Sequence, residues 1–102
     1  MLENLNLQVF SGVLNSSFHL RVNDSLSVEM DLVEVNDLGS TASHEQFSLI
    51  FLSRKGVLLP QQIFALEHEK LGSLELFIVP IRKDANGVFY EAIFNRNRAA
   101  GS

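Results

Sequence analysis

From Phe18 onward the apolar residues fall at every second position, and a period of two dictates β-strands rather than helices. Phe18, Leu20 and Val22 alternate with His19 and Arg21, the pattern of a half-buried strand. Asn23-Asp24 reads as a turn. Leu26, Val28, Met30 and Leu32 then alternate with Ser27, Glu29 and Asp31, but beyond Leu32 the apolar positions become Val33 and Val35. A phase flip of one residue is what a β-bulge produces, so a bulge is predicted near Leu32-Val33. Asn36 to Ser43 is polar, contains Gly39, and reads as a loop.

Phe47, Leu49 and Phe51 form one face of a third strand, and Ile50 and Leu52 make its other face apolar too. Arg54-Lys55-Gly56 ends it. A fourth strand is predicted over Gln62 to Glu67, and a fifth over Ser73 to Ile81, with His68 to Gly72 connecting them. Asn86-Gly87 tolerates the positive φ of a type I′ turn. With those two as loop residues, Arg82 faces Glu91, Ile81 faces Ala92 and Val79 faces Phe94. Pro80 cannot donate to a ladder, so an edge or a bulge is expected there.

That register divides the last hairpin into two apolar sets. Phe77, Val79, Ile81, Tyr90, Ala92 and Phe94 fall on one face, and Leu74, Leu76, Ile78, Phe89 and Ile93 on the other. One set can line a barrel interior. The second needs cover, which makes Leu74, Leu76, Ile78, Phe89 and Ile93 the candidate partner-facing residues. Fully burying each large side chain is worth about 1.5–3 kcal/mol.

Ahead of the strands, Leu7, Phe10 and Leu14 lie at spacings of three and four, with Asn6 as a cap. They predict a short helix over 6–14 that plugs one end or face of the sheet. The chain of 102 residues is long enough for one domain. The expected fold is mainly β: a small antiparallel six-stranded barrel or sandwich with one short N-terminal helix. Strands are expected over 17–95 and a flexible tail over 96–102.

A net charge of −4 argues against binding duplex nucleic acid, which needs a basic face. Cysteine is absent, which removes disulfides, thiolate nucleophiles and cysteine-bound metals. No stretch is apolar enough to span a bilayer as a helix. Met1-Leu2-Glu3-Asn4 lacks the basic start of a secretory signal, so a cytoplasmic or non-classically exported, surface-assembled protein is expected. Acidic residues crowd between Asp24 and Glu45, whereas Arg82, Lys83, Arg96 and Arg98 come late. Two solvated faces account for this, and so do complementary ends that let copies stack head to tail.

Motifs for chemistry are sparse. The glycines are scattered singly, and there is no Gly-x-Ser-x-Gly elbow or His-Glu-x-x-His. His19, His44 and His68 sit in a strand, a loop and a strand end, so they are not expected to converge on a metal. Glu67-His68-Glu69 places a carboxylate beside an imidazole, but strand neighbours point to opposite faces, so the run reads as a polar connection. Ser16 and Ser17 have no base at a telling spacing. Glu29 and Asp31 share a strand face that can hold a hard cation only weakly. The expectation is a non-enzymatic chain with no cofactor. His68, His19 and an acid around one cavity is the arrangement that would argue otherwise.

Leu59-Pro60-Gln61, Phe64-Ala65-Leu66-Glu67-His68, Leu71 to Pro80 and Tyr90-Glu91-Ala92-Ile93-Phe94-Asn95 resemble a small bacterial family, domain of unknown function 6916. Leu2-Glu3-Asn4-Leu5 and Val33-Glu34-Val35 fit the same pattern, so the likeness covers nearly the whole chain. The family carries no established catalytic residues. The resemblance implies a gene neighbourhood with phage-type tail-collar-like fibre proteins, and hence an accessory part or subunit of a fibre or tail-like assembly. The leading expectation is therefore a structural protein that binds copies of itself or a fibre subunit through an apolar hairpin face or open strand edge, oligomeric in its working state. The alternative is a small ligand-binding β-barrel module.

Overall fold

Asn6 takes an extended conformation, and its side-chain oxygen accepts the Val9 N–H at 2.9 Å, a helix N-cap. In the computed structural model, which describes residues 5–56 and 58–97, the helix α1 (Leu7–Ser11) is shorter than the expected 6–14. Gly12 donates back to the Gln8 carbonyl, and the chain turns away. Five residues are too few to be stable on propensity alone. Burial of Phe10 against Phe47 and Phe94, at ring-centroid distances of 6.0 and 5.2 Å, holds the helix in place.

Six strands follow: β1 (Ser17–Arg21), β2 (Ser27–Asp37), β3 (His44–Ser53), β4 (Gln62–His68), β5 (Gly72–Asp84) and β6 (Gly87–Asn97). All pair antiparallel in one sheet that closes on itself in the order β1-β2-β3-β6-β5-β4. The period-two pattern explains the closure. Phe18 and Leu20, Met30 and Leu32, Phe47, Leu49 and Phe51, Leu66, Ile78 and Tyr90 all point inward and are buried. α1 sits over the end of the barrel where β3 begins and β6 ends. At the other end the segment between β3 and β4 turns in, burying Leu59, whose N–H donates to the Tyr90 hydroxyl at 2.8 Å.

The phase flip in the second strand is a bulge, with the register shifting between Leu32 and Glu34. A second shift lies between Pro80 and Arg82, where β5 passes from one neighbour to the other. Residues up to Ile78 pair with β4, and Val79 onward pair with β6. Pro80, with no N–H to donate, sits at that corner.

The hairpin register differs from the expected one. Asp84 lies opposite Gly87, so the loop residues are Ala85 and Asn86. Asn15 is the one non-glycine residue with positive φ among those described, so Asn86 does not adopt a type I′ conformation. Gly87 takes the positive φ instead, at 139°, and a Cβ there would collide with the Ser53 carbonyl oxygen. Arg82 consequently faces Phe89 rather than Glu91, Val79 faces Glu91 rather than Phe94, and Ile81 is the extra residue of the bulge. The ladder also runs on to Asn97, beyond the expected fraying at Arg96; residues 98–102 of the expected tail lie outside the described residues.

Candidate functional site

The second bulge redistributes the residues expected to face a partner. Leu74, Leu76 and Ile78 point into the barrel and are buried. Phe89 points outward but is also buried, packed with Ile50, Leu52 and Val33 in a small cluster on the outer face. The Arg82 guanidinium caps that cluster, 3.9 Å from the Phe89 ring centroid. Of the five, only Ile93 is exposed, at 58 %. The partner-facing assignment is therefore corrected for Leu74, Leu76, Ile78 and Phe89. The reason is a register counted through Pro80 without the extra residue.

The apolar surface that does face outward is a different set. Ile63 on β4 pairs directly with Phe77 on β5, and they are 64 % and 52 % exposed. Phe77 and Ile93 are the next outward positions beyond the last paired residues of the β5–β6 ladder, Val79 and Glu91. Ile63, Phe77 and Ile93 thus occupy the outside of three consecutive strands, and Ile81 is exposed at the corner nearby. The β5–β6 ladder stops at Val79 and Glu91, so among the described residues Ala92–Asn97 pairs with β3 on one side only. Phe77, expected on the face that lines a barrel, lies outside, because the alternation changes phase at the bulge that Pro80 marks.

A polar cleft of about 610 Å³ opens at the end of the barrel formed by the start of β1 and the end of β4. Ser16, Ser17, His19, Glu67, His68 and Glu69 line it. Antiparallel pairing sets His19 opposite Glu67, while alternation turns His68 inward, so two of the three histidines line one cleft with Glu67 and Glu69. His44 starts β3 and is outside the cleft. No group of His, Asp or Glu that could hold a metal forms among the described residues.

His68 and Ser16 have the spacing of a catalytic dyad and the opposite proton arrangement. The His68 Nε2 lies 2.8 Å from Ser16 Oγ. The backbone N–H groups of Lys70 and Leu71 both point at Nδ1, at 3.0 and 3.3 Å, so Nδ1 is the acceptor and Nε2 carries the proton. Nε2–H donates to Ser16, whose hydroxyl donates in turn to the Val13 carbonyl. An imidazole that activates a serine must accept at the nitrogen facing it. Burial lowers the His68 pKa, Glu69 opposes that shift, and Lys70 adds to it. The neutral ring also packs against Phe18, with centroids 4.4 Å apart. This fastens the β4–β5 turn to the segment that follows α1.

The fold and its surfaces define a small closed antiparallel β-barrel with a helical plug and an apolar outer row. The chain belongs to a family described as domain of unknown function (DUF6916), whose model matches residues 5–94. No curated protein and no solved structure matches it. No helix among the described residues is long and apolar enough to cross a membrane.

Proposed function

We propose that the chain is a non-enzymatic structural and interaction domain that docks a protein partner, a fibre subunit of tail-collar type or a second copy, on the outside of β4, β5 and β6. The observation that carries this reading is the row Ile63, Phe77 and Ile93, three large apolar side chains each more than half exposed on adjacent strands. Covering the exposed part of each is worth roughly 1–1.5 kcal/mol. Association costs at least about 4 kcal/mol in lost freedom. Three side chains roughly meet that cost and do not exceed it, so the row works as one part of a larger contact or as a repeated contact in an array. The flank of Ala92–Asn97 beside Ile93, unpaired among the described residues, is suited to add backbone pairing.

The tail-collar-type partner rests on the family likeness and its gene neighbourhood. The test is co-purification of that fibre protein with the wild-type chain and with a Phe77→Ser, Ile93→Ser double variant. Retention by the wild type and loss by a folded variant supports the proposal, and equal behaviour of the two overturns it.

The second reading, a small ligand-binding barrel module, is favoured by the polar cleft. The barrel interior is filled by Phe, Leu and Ile side chains, which weighs against a ligand held inside. A small polar ligand that raises the melting temperature in the wild type and not in a Glu67→Gln, Glu69→Gln variant would favour it.

A further inference from the structure

Two carboxylates border the apolar row. On β5, Glu75 is the outward residue that precedes Phe77, and on β6, Glu91 is the outward residue that precedes Ile93. Because β5 and β6 run antiparallel, the two acids fall on opposite sides of the row. Residues of one strand face recur about every 7 Å, so each carboxylate is rooted about 7 Å along its strand from the apolar neighbour.

Glu75 is exposed and Glu91 is half-buried, and neither makes an ion pair among the described residues. The cations of the neighbouring positions are engaged elsewhere. Arg21, level with Glu75 across Ala65, bridges Glu67 at 3.6 Å. Arg82 lies over the Phe89 ring and beside Asp84 at 3.8 Å. The stretches that build this wall, 62–68, 72–80 and 91–95, carry Glu67, Glu75 and Glu91 and no Lys or Arg.

We infer that the partner of this wall is a different protein, whose contacting segment carries apolar side chains bordered on both sides by Lys or Arg, and not a second copy of the chain. The inference rests on the docking surface at Ile63, Phe77 and Ile93 and narrows what can occupy it. Charge complementarity chooses the occupant. A two-fold contact sets each patch against its own counterpart, so Glu75 and Glu91 of both copies would converge while Arg21 and Arg82 are already engaged. Like charges brought together in a contact suppress that pairing, and the same two carboxylates attract and orient a basic border. The apolar row supplies contact, and the acids on either side of it act against self-pairing.

The chain itself supplies the probe. A Glu75→Lys, Glu91→Lys variant turns the same wall into an apolar row bordered by cations, which is the chemistry assigned to the partner. Sedimentation velocity at about 0.01 M salt, where charges act over about 30 Å, is expected to show wild type alone and E75K/E91K alone as monomers. An equimolar mixture of the two should sediment as a species of twice the monomer mass. Salt at about 1 M, which shortens the range to about 3 Å, should dissociate the mixed pair, and so should F77S/I93S placed in both chains. A melting temperature near that of the wild type establishes that each variant is folded. If E91K disturbs the fold, E75K alone carries the test, with a weaker mixed pair expected. A mixture that stays monomeric overturns the inference. A wild type that pairs with itself, and loses that pairing in F77S/I93S, overturns it while leaving the docking surface intact. A mixed pair that survives F77S/I93S would mean that charge acts without the apolar row, and would overturn the docking surface together with the inference.

Discussion

The Nε2 of His68 lies 2.8 Å from the Oγ of Ser16, and the proton between them belongs to the histidine. The pair joins residues 52 positions apart, at the point where the helical plug meets the first strand. The bond needs a neutral ring with Nδ1 free to accept, because a second proton there would face two backbone N–H groups.

The first prediction follows from that proton count. Burial lowers the His68 pKa in the folded chain below its ordinary value of 6.5. Above pH 6.5 the ring is neutral in folded and unfolded chains alike, and its contribution to stability is fully present. Between 6.5 and the lowered folded value the unfolded chain binds more protons, so stability falls as pH falls. Urea melts at pH 7.5, 6 and 5 should show a steeper loss in the wild type than in His68→Gln. Parallel pH profiles for the two proteins would contradict the assignment.

Tyr90 carries the second. Its hydroxyl accepts the N–H of buried Leu59 at 2.8 Å. Tyr90→Phe strands that donor and should cost about 1–3 kcal/mol, read as a lower denaturation midpoint with an unchanged slope. Burial raises the phenol's pKa and the Leu59 N–H opposes it. The unfolded chain therefore loses this proton first, and wild-type stability should fall as pH rises above 10. The variant should lack that component.

The third concerns Gly87. Its φ of 139° and the approach of the Ser53 carbonyl leave no room for a side chain. Gly87→Ala should destabilise by at least about 1–3 kcal/mol from backbone strain alone, whereas Asn86→Ala at the adjacent loop position, where φ is negative, should cost far less. Thermal melts of the two variants compare them directly, and equal midpoints would contradict the close approach.

Much of the barrel was legible because alternation is a direct readout of a one-sided core. The six strands, the bulge after Leu32 and the apolar outer face of Ile50 and Leu52 all follow from residue order. The hairpin register did not. Asn86-Gly87 is a strong turn signal by local chemistry, but the Ser53 backbone presses on Gly87 from a strand more than thirty positions away. That contact moves the turn by one residue, and the bulge at Pro80 moves the strand again. The turn shift moves the pairing by two positions and keeps each side chain on its face, so it is the extra residue of the bulge that carries Leu74, Leu76 and Ile78 inside and leaves Phe77 outside. The cleft was hidden for a similar reason. His19 and Glu67 become neighbours only when β1 closes the ring against β4, and nothing local in either segment encodes that closure.

The wall of the barrel at Ile63, Phe77 and Ile93 is the proposed protein-docking surface. Sedimentation equilibrium of the chain alone and mixed with the tail-collar-type fibre subunit decides it. A complex is expected for the wild type and none for a folded F77S/I93S variant with an unchanged melting temperature. A wild type that stays monomeric at every concentration and leaves the fibre subunit unbound would contradict it.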